Sequence, residues 1–166
     1  MLKNGLREVF NVEEVVKLLK EKNLYIATME SCSGGGIANA ITNVEGSSSV
    51  IKFSAVTYSN EFKIKMGVNK ETIDKYTVYS MEVAKEMAKQ ISKFANADLG
   101  IGITGRINCE DPANVGGDTS LIYVAIYEKN KDKYNTLTLN ALPKSRSENK
   151  EYIIKAISKE LEYLLG

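Results

Sequence analysis

Leu24-Tyr-Ile-Ala-Thr-Met-Glu-Ser-Cys-Ser-Gly-Gly-Gly36 is the stretch that decides how this chain folds. It begins with a short apolar run typical of a β-strand, turns at residues 30–33, and continues through three glycines into helical apolar spacing. In α/β proteins, a strand that leads into a helix through a Ser/Gly turn presents backbone N–H groups and a hydroxyl to a small ligand. We therefore expect the chemistry at this turn, with Ser31 as the reacting residue.

Strand and helix patterns alternate along the rest of the chain. Helical spacing is predicted at residues 11–22, 36–43, 60–66, 69–76 and 80–94, and from Ser145 or Ser147 to the end. Strands are predicted at residues 24–28, 50–59, 98–104, 119–127 and 133–139, the last two forming an antiparallel hairpin. This order predicts one α/β domain over residues 1–166, a three-layer α/β/α sandwich with a mixed, mainly parallel sheet of about five strands.

Two of these segments carry more detailed predictions. Asn11-Val-Glu-Glu14 has the spacing of a capping box at the start of the first helix. In the second strand, an apolar set is expected to supply core positions: Phe53, Ala55, Val56 and Tyr58.

The overall charge excludes some classes of partner. The chain has 22 basic and 21 acidic residues, a net charge of +1, which argues against a general electrostatic grip on nucleic acid or an anionic membrane. No apolar run has the length needed to span a bilayer, and the segment Met1–Arg7 has no apolar signal-peptide core. We expect a cytoplasmic protein without nucleic-acid or membrane partners.

The absence of histidine restricts the chemistry most. It excludes every Ser-His or Cys-His nucleophile, so a hydrolase would need Lys, Tyr, Asp, Glu or a metal-bound water as its base. Cys32 and Cys109 are expected to be free thiols, and structural zinc is not expected. No metal or other cofactor is predicted. Four carboxylates could bind a cation, but we interpret them as solvated loop residues: Glu30, Glu110, Asp111 and Asp118.

Ser31 is the first candidate for a chemical role, because it lies between a strand and a helix. The backbone N–H groups of residues 33–36 could form an oxyanion hole or a phosphate nest beside it. The alternative is that Ser31 or Ser33 only caps the helix. Cys32 is a rival nucleophile, ranked lower because cysteine is usually a small buried hydrophobe.

Lys63 and Tyr58 are the second candidates, because residues 58–63 run from a strand end into a helix start at the same sheet edge. Burial would lower the pKa of Lys63 and allow it to deprotonate a serine. Tyr58 could relay the proton or donate to an oxyanion. The alternative for Lys63 is a solvated surface charge, and Lys65 is the natural negative control.

The third set of candidates lies at the end of the 98–104 strand and before the last helix. Thr104 and Gly105 could contact the ligand or only begin a turn. Arg146 could hold a phosphate or carboxylate through two hydrogen bonds, or it could be an exposed charge.

Together these residues resemble a known family. Glu30-Ser-Cys-Ser-Gly-Gly35 resembles the E-S-C-[TS]-G-G motif of the CinA C-terminal domain family, the nicotinamide mononucleotide (NMN) deamidases. The similarity extends over residues 11–165, through Gly46-Ser-Ser48, Val56-Thr-Tyr-Ser-Asn60 with Lys63, Met66-Gly-Val68, Thr104-Gly105 and Arg146. The combination of the first motif with T-Y-S-N-x-x-K is what makes the resemblance specific.

The resemblance implies an amidohydrolase that converts NMN and water to nicotinic acid mononucleotide and ammonia, without a required metal or cofactor. Ser31 would be the nucleophile, Lys63 its base, and Tyr58 an aid to proton transfer. Thr104 and Arg146 would help to hold the substrate. We expect further substrate contacts from Glu30, Ser33, Gly34, Gly35, Ser48, Gly105 and Arg106. It also implies an α/β/α domain with a five-stranded mixed sheet, here in a stand-alone form, and a homodimer is plausible.

One segment departs from the family pattern. After Thr104-Gly105 the family has a glycine-rich loop of the type I-A-G-P-G-G-G, whereas this chain continues from Arg106 to Asp118 with three carboxylates and without that glycine core. Such carboxylates would repel a phosphate unless they point away, and Arg106 could compensate in part. Two alternatives therefore stay open: a catalytically weak or inactive nucleotide-binding relative, and a domain that serves a protein partner.

Overall fold

The computed structural model describes residues 11–166, and the segment Met1–Arg7 lies outside that range. The described chain forms six α-helices and five β-strands: α1 (Val12–Glu21), β1 (Ile26–Glu30), α2 (Gly36–Thr42), β2 (Ile51–Val56), α3 (Asn60–Lys65), α4 (Lys70–Tyr76), α5 (Met81–Ala95), β3 (Leu99–Gly105), β4 (Leu121–Glu128), β5 (Lys133–Asn140) and α6 (Arg146–Leu165). None of the helices within residues 11–166 combines the length and apolar character that crossing a bilayer requires.

The five strands form one mixed sheet in the order β2-β1-β3-β4-β5. β1 lies between β2 and β3 and is parallel to both, whereas β4 is antiparallel to β3 and to β5. Four strands therefore share one direction and only β4 is reversed. The predicted mixed, mainly parallel sheet with a terminal hairpin is confirmed.

The alternation in Leu99-Gly-Ile-Gly-Ile103 of β3 separates the two faces of the sheet, because successive side chains point to opposite sides. Ile101 and Ile103 pack into the larger apolar core together with buried residues of α1, α2 and α6. Gly100 and Gly102 lie against the backbone of α5 on the other side. The result is the predicted three-layer α/β/α sandwich.

The second layer rests on α5, whose apolar stripe has the helical spacing that the sequence predicts. Val83, Met87 and Ile91 are fully buried, and they pack with Ala27 and Met29 of β1. Ser80 caps this helix by accepting a hydrogen bond from the N–H of Val83. The buried stripe fixes α5 across the centre of the sheet.

The core positions predicted for the second strand are wrong at three residues: Phe53, Val56 and Tyr58, the last of which is 66% exposed. Phe53 and Val56 retain 38% and 53% of their surface in solvent, and the strand ends at Val56 rather than at residue 59. The reason is topological, because β2 is an edge strand and has only β1 as a neighbour. Beyond the strand end, the N–H of Thr57 still donates to the Glu30 carbonyl at 2.8 Å, and Tyr58 lies in the short segment that leads to α3.

The capping prediction for the first helix is half right. The Asn11 side chain accepts a hydrogen bond from the N–H of Glu13, so Asn11 is the cap. The N–H of Asn11 donates to Glu162 of α6 instead of to Glu14, so the reciprocal box is absent. The last helix has the complete capping box, formed by Ser145 and Glu148.

Parallel pairing of β1, β2 and β3 brings their carboxyl ends to one edge of the sheet. Ser31 follows β1, Thr57 follows β2, and Arg106 follows β3. Ligand sites of open α/β sheets lie at this edge.

Gly102→Ala tests the close contact between β3 and α5. A Cβ at residue 102 would lie 2.1 Å from the carbonyl oxygen of Ala84 and 2.6 Å from the N–H nitrogen of Ala88, both backbone atoms that cannot move aside alone. We expect the free energy of unfolding, measured in urea, to fall by about 3 kcal/mol.

Gly36→Ala is the matched control, because the nearest atom to its added Cβ is the flexible Cδ1 of Ile154 at 3.2 Å. It should change the free energy of unfolding by less than about 1 kcal/mol. Equal losses in the two variants would contradict the assignment of β3 to direct contact with α5.

Candidate active site

Ser31 is held rigidly at the first residue after β1. Its N–H donates to the carbonyl of Ile103 at 3.0 Å, which extends the β1–β3 pairing by one residue, and its own carbonyl accepts from the N–H of Gly34 at 2.9 Å. Gly34 and Gly35 have φ angles of +62° and +90°, a conformation that favours glycine. The turn therefore exposes the Ser31 side chain to the cavity at the carboxyl edge of the sheet.

The Glu30 carboxylate fixes the rest of this turn from below. Glu30 is fully buried, and one oxygen accepts from the Ser33 hydroxyl at 2.7 Å and from the N–H of Ile37 at 3.0 Å. The other oxygen accepts from the Thr28 hydroxyl and from the N–H of Ala38, both at 3.0 Å. The carboxylate thus satisfies the first-turn donors of α2 and lies at the positive end of that helix.

This arrangement changes the predicted role of Glu30 and of the glycine turn. We predicted substrate contact for both, but the oxygens of Glu30 are occupied by the protein and the Ser33 hydroxyl is tied to them. The N–H groups of Gly34 and Gly36 donate to the carbonyls of Ser31 and Ser33. An anion nest built from those two N–H groups is therefore wrong, because their donors are already used.

Lys63 meets Ser31 from the short helix α3. Ser59 caps α3, which begins directly after the loop that follows β2 and directs Lys63 inward. The Lys63 side chain is only 2% exposed, and its Nζ lies 3.1 Å from Ser31 Oγ and 2.6 Å from the Thr57 carbonyl oxygen. The structure therefore brings the predicted nucleophile and the predicted base into hydrogen-bond contact.

Burial also changes the protonation of Lys63. Removal from water lowers its pKa from 10.5 to about 8, against smaller opposing contributions from Cys32 and Asp111. A neutral amine has a lone pair that can accept the Ser31 proton, while an N–H directed to the Thr57 carbonyl holds the amine in place. Lys65 behaves as the negative control, because it is exposed and pairs with Glu61 at 2.6 Å.

Cys32, the rival nucleophile, directly follows Ser31, but its environment disfavours the reactive form of the thiol. Burial raises the pKa of its thiol to about 12, despite the nearby positive charge of Lys63. Because the thiolate is the reactive form of cysteine, the lower rank given to Cys32 is consistent with its surroundings.

A cavity of about 510 Å³ opens above Ser31. Its walls come from the turn after β1, the start of α3, the loop after β3 and the first residue of α6. The residues that line it are Ser31, Cys32, Tyr58, Ser59, Asn60, Tyr79, Gly105, Arg106, Ile107, Cys109, Glu110, Asp111, Pro112, Ala113, Asn114 and Arg146. This volume is in the range of small-molecule sites.

Tyr58 and Arg146 form one wall of the cavity. Tyr58 is 66% exposed, and its hydroxyl accepts a long hydrogen bond of 3.4 Å from Arg146. A second long bond of 3.5 Å joins Arg146 to the carbonyl of Ile107. Both contacts are weak, so the guanidinium can turn toward an anionic ligand.

Arg106 also lines the cavity, where it organises the loop of residues 106–118. Its guanidinium donates to the carbonyls of Asn114 at 2.6 Å and Gly117 at 3.4 Å and stacks 4.3 Å from the ring centre of Tyr79. Its Nε is buried and has no partner within the described chain. Arg106 therefore has a structural role in the loop, and its predicted contact with substrate stays a prediction, because the residue also lines the cavity.

Asp111 completes the loop network. It accepts from the Tyr79 hydroxyl at 2.5 Å, from the Asn114 amide at 2.7 Å and from the N–H of Ala113 at 3.0 Å. These bonds lower the pKa of Asp111, so it is ionised at neutral pH. Asn60 of α3 ties the same loop to the other wall through a 2.7 Å bond to Asn114.

The remaining predicted positions differ in where they lie. Gly105 borders the cavity, but the Thr104 hydroxyl is buried and donates to the carbonyl of Val78 at 2.9 Å. Ser48 is exposed in the 3-10 turn Ser47–Ser49, which precedes β2. Because Ser31 follows a strand parallel to β2, Ser48 lies at the opposite edge of the sheet.

Sequence reasoning did not identify the Thr57 carbonyl, Tyr79 or Asn114 as parts of the site. A backbone carbonyl carries no sequence signal, and Tyr79 only precedes the helix cap Ser80. Within residues 11–166, no cluster of three or more His, Cys, Asp or Glu side chains is arranged to hold a metal ion.

The fold and this site define an α/β domain with a histidine-free serine–lysine pair at the carboxyl edge of its sheet. The chain belongs to the CinA family, since the CinA C-terminal domain model matches residues 10–165. It is similar to solved competence-damaged (CinA) superfamily structures. One from Enterobacter cloacae has a TM-score of 0.86 and 25% identity over 100% of this chain and 99% of that one. The structure of a competence or damage-inducible protein from Enterobacter asburiae has a TM-score of 0.84 and 26% identity, and the match covers 94% of this chain and 99% of that one.

Relatives named as competence-damage inducible proteins are closer in sequence. One from Clostridium botulinum is 44% identical over 133 residues, which is 76% of this chain and 31% of the relative. One from Thermoanaerobacter is 49% identical over 94 residues, 56% of this chain and 23% of the relative. The chain thus spans about a third or less of the length of these relatives.

Glu30→Gln tests the carboxylate support beneath the turn. Both Glu30 oxygens now accept hydrogen bonds from buried groups. A glutamine would replace one of these oxygens with an NH₂ group, which cannot accept, so some of the buried donors would lose their partner. We expect the free energy of unfolding in urea to fall by roughly 3 kcal/mol.

Glu151→Gln, an exposed position on α6, makes the same change of charge and should stay within about 0.5 kcal/mol of the parent. If Glu30→Gln were equally mild, the buried carboxylate would not be what holds the turn.

Proposed function

We propose that this domain is an amidohydrolase that uses Ser31 as its nucleophile and Lys63 as its base, and that its substrate is NMN. The observation that carries the proposal is the buried 3.1 Å contact between Lys63 Nζ and Ser31 Oγ, made by a lysine whose pKa is lowered to about 8. A lysine amine whose pKa lies near neutral pH can accept a proton from an adjacent serine hydroxyl. This arrangement activates a serine without histidine. Membership of the CinA family supports the choice of substrate through the resemblance described above.

The first half of the reaction forms an acyl enzyme. Neutral Lys63 takes the Ser31 hydroxyl proton as Oγ bonds to the carboxamide carbon, and the carbonyl electron pair moves onto its oxygen. When this tetrahedral intermediate collapses, the C–N bond breaks and the Lys63 ammonium gives its proton to the departing nitrogen. Ammonia leaves, and the acyl group remains as an ester on Ser31.

The second half returns the enzyme to its starting state. Lys63, again neutral, takes a proton from water as the water oxygen bonds to the ester carbon. Collapse releases Ser31 Oγ, which recovers its proton from Lys63, and the product leaves as nicotinic acid mononucleotide. Tyr58 and Arg146 border the reacting centre, where the tyrosine hydroxyl can donate to the developing oxyanion.

A second candidate function is ligand binding without efficient turnover. The observation that favours it is the acidic wall of the cavity, to which the loop of residues 106–118 contributes Glu110 and Asp111. This candidate expects mononucleotide binding in a thermal-shift assay and no ammonia release from NMN. The kinetic experiment below separates the two functions.

Ammonia release from NMN by Ser31→Ala and Lys63→Met tests the assignment of nucleophile and base. Each variant loses one member of the Lys63–Ser31 contact that activates the nucleophile, so kcat should fall by about 10³-fold or more. Thermal unfolding of each variant should confirm that it is folded.

Lys65→Met is the matched control, since it removes an exposed lysine two residues from Lys63. Its kcat should remain within about twofold of the parent. Turnover that survives Ser31→Ala would refute the nucleophile, and a folded parent without turnover would leave the binding function as the better account.

The pH dependence of kcat/KM reports the protonation of Lys63. Burial lowers the pKa of this lysine to about 8, and only its neutral form can accept the serine proton. We expect kcat/KM for NMN to rise about tenfold per pH unit below pH 8 and to level off above it. A profile that is flat between pH 6 and 9 would contradict lysine as the base.

A further inference from the structure

One face of α6 runs along the turn that presents Ser31. Arg146, Lys150 and Ile154 are spaced four residues apart and so lie on the same side of the helix. Arg146 borders the cavity, Lys150 Nζ would lie 3.0 Å from a Cβ built at Gly34, and Ile154 packs beside Gly36. Two cations therefore lie one helical turn apart on this face, Arg146 at the cavity and Lys150 over the glycine turn that follows Ser31.

Lys150 is not engaged in the protein's own structure. The side chain is half-buried, and within residues 11–166 it has no hydrogen-bond or ion-pair partner. Gly34, at which an added Cβ would lie 3.0 Å from the Lys150 ammonium nitrogen, is exposed and carries no side chain. Holding a flexible lysine partly buried without a partner has an entropic cost, which a bound anion would offset.

The loop of residues 106–118, which forms another part of the cavity wall, is unsuited to an anion. Asp111 is ionised there, and Glu110 lies next to it on the wall. Arg106, the cation of this loop, already donates to the carbonyls of Asn114 and Gly117. The cavity therefore has an acidic wall on the loop of residues 106–118 and a basic rim on α6.

We propose that Arg146 and Lys150 form a phosphate subsite at the rim of the cavity, and that Lys150 gives the enzyme its preference for a phosphorylated substrate over the corresponding nucleoside. This inference rests on the proposed function for the identity of the substrate. NMN is a zwitterion, with a cationic pyridinium that carries the carboxamide and a phosphate on the far side of the ribose. The two charges of NMN match the charges of the cavity. In the proposed complex the phosphate binds the basic rim and the pyridinium faces the acidic wall.

Steady-state kinetics with NMN and with nicotinamide riboside test the subsite. Lys150→Gln removes a charged donor that only the phosphate contacts, so the KM for NMN should rise about tenfold while the KM for the riboside changes less than about twofold. The preference of the parent for NMN should shrink by the same factor. Raising the salt concentration should reduce the preference of the parent more than that of the variant.

Lys155→Gln is the matched control, because it removes an exposed lysine from another face of the same helix. It should leave both KM values unchanged. An unchanged KM for NMN in Lys150→Gln, or an equal rise for NMN and the riboside, would overturn the subsite.

Calorimetric binding of the same two ligands separates this inference from the proposed function. If the parent binds NMN more tightly than the riboside, and Lys150→Gln removes that difference, the subsite stands even where no ammonia is released. Equal binding of the two ligands by the parent, or binding of neither, would overturn the subsite whatever the outcome of the turnover assay.

Discussion

The buried hydrogen bond between Lys63 and Ser31 is the contact on which the account depends. A lysine with 2% exposure is unfavourable for the fold at neutral pH, because burial lowers its pKa from 10.5 to about 8. The unfolded chain binds more protons between these values, so the penalty is full below pH 8 and is relieved as pH rises to 10.5. At neutral pH it amounts to roughly 3 kcal/mol, partly offset by the bond to the Thr57 carbonyl. The fold thus carries a destabilising group whose neutral form, populated as the pH rises through 8, lies beside a hydroxyl.

The surroundings of this pair are built to keep it in place. Parallel pairing of β1 with β2 and β3 delivers Ser31 and the Thr57 carbonyl to one edge, and the short helix α3 returns Lys63 to meet them. Beneath the turn, Glu30 takes up the N-terminal donors of α2, so the helix terminus does not serve as an anion site. An anionic substrate would therefore depend on side chains, which is the role proposed for the cations of α6.

Sequence reasoning recovered what periodicity and topology determine. Alternating strand and helix patterns predicted the layers and the mixed sheet, and the meeting of parallel strand ends predicted that Ser31 and Lys63 approach each other. It failed for the burial of Val56, which depends on β2 being an edge strand. It also failed where the result depends on the direction in which a single side chain points. Glu30 belongs to the signature motif, but no pattern shows that its carboxylate points inward to a helix rather than outward to a ligand.

The most direct measurement is the pH titration of the lysine side-chain carbon and nitrogen resonances by NMR, with Lys63→Met used to assign the signal of Lys63. Our account predicts one lysine with a midpoint near pH 8, set by burial, that is missing in the variant, while exposed lysines such as Lys65 titrate near their ordinary value of 10.5. If Lys63 titrated with the exposed lysines, it would be charged throughout the neutral range. It could not then accept the Ser31 proton, and the central claim would be contradicted.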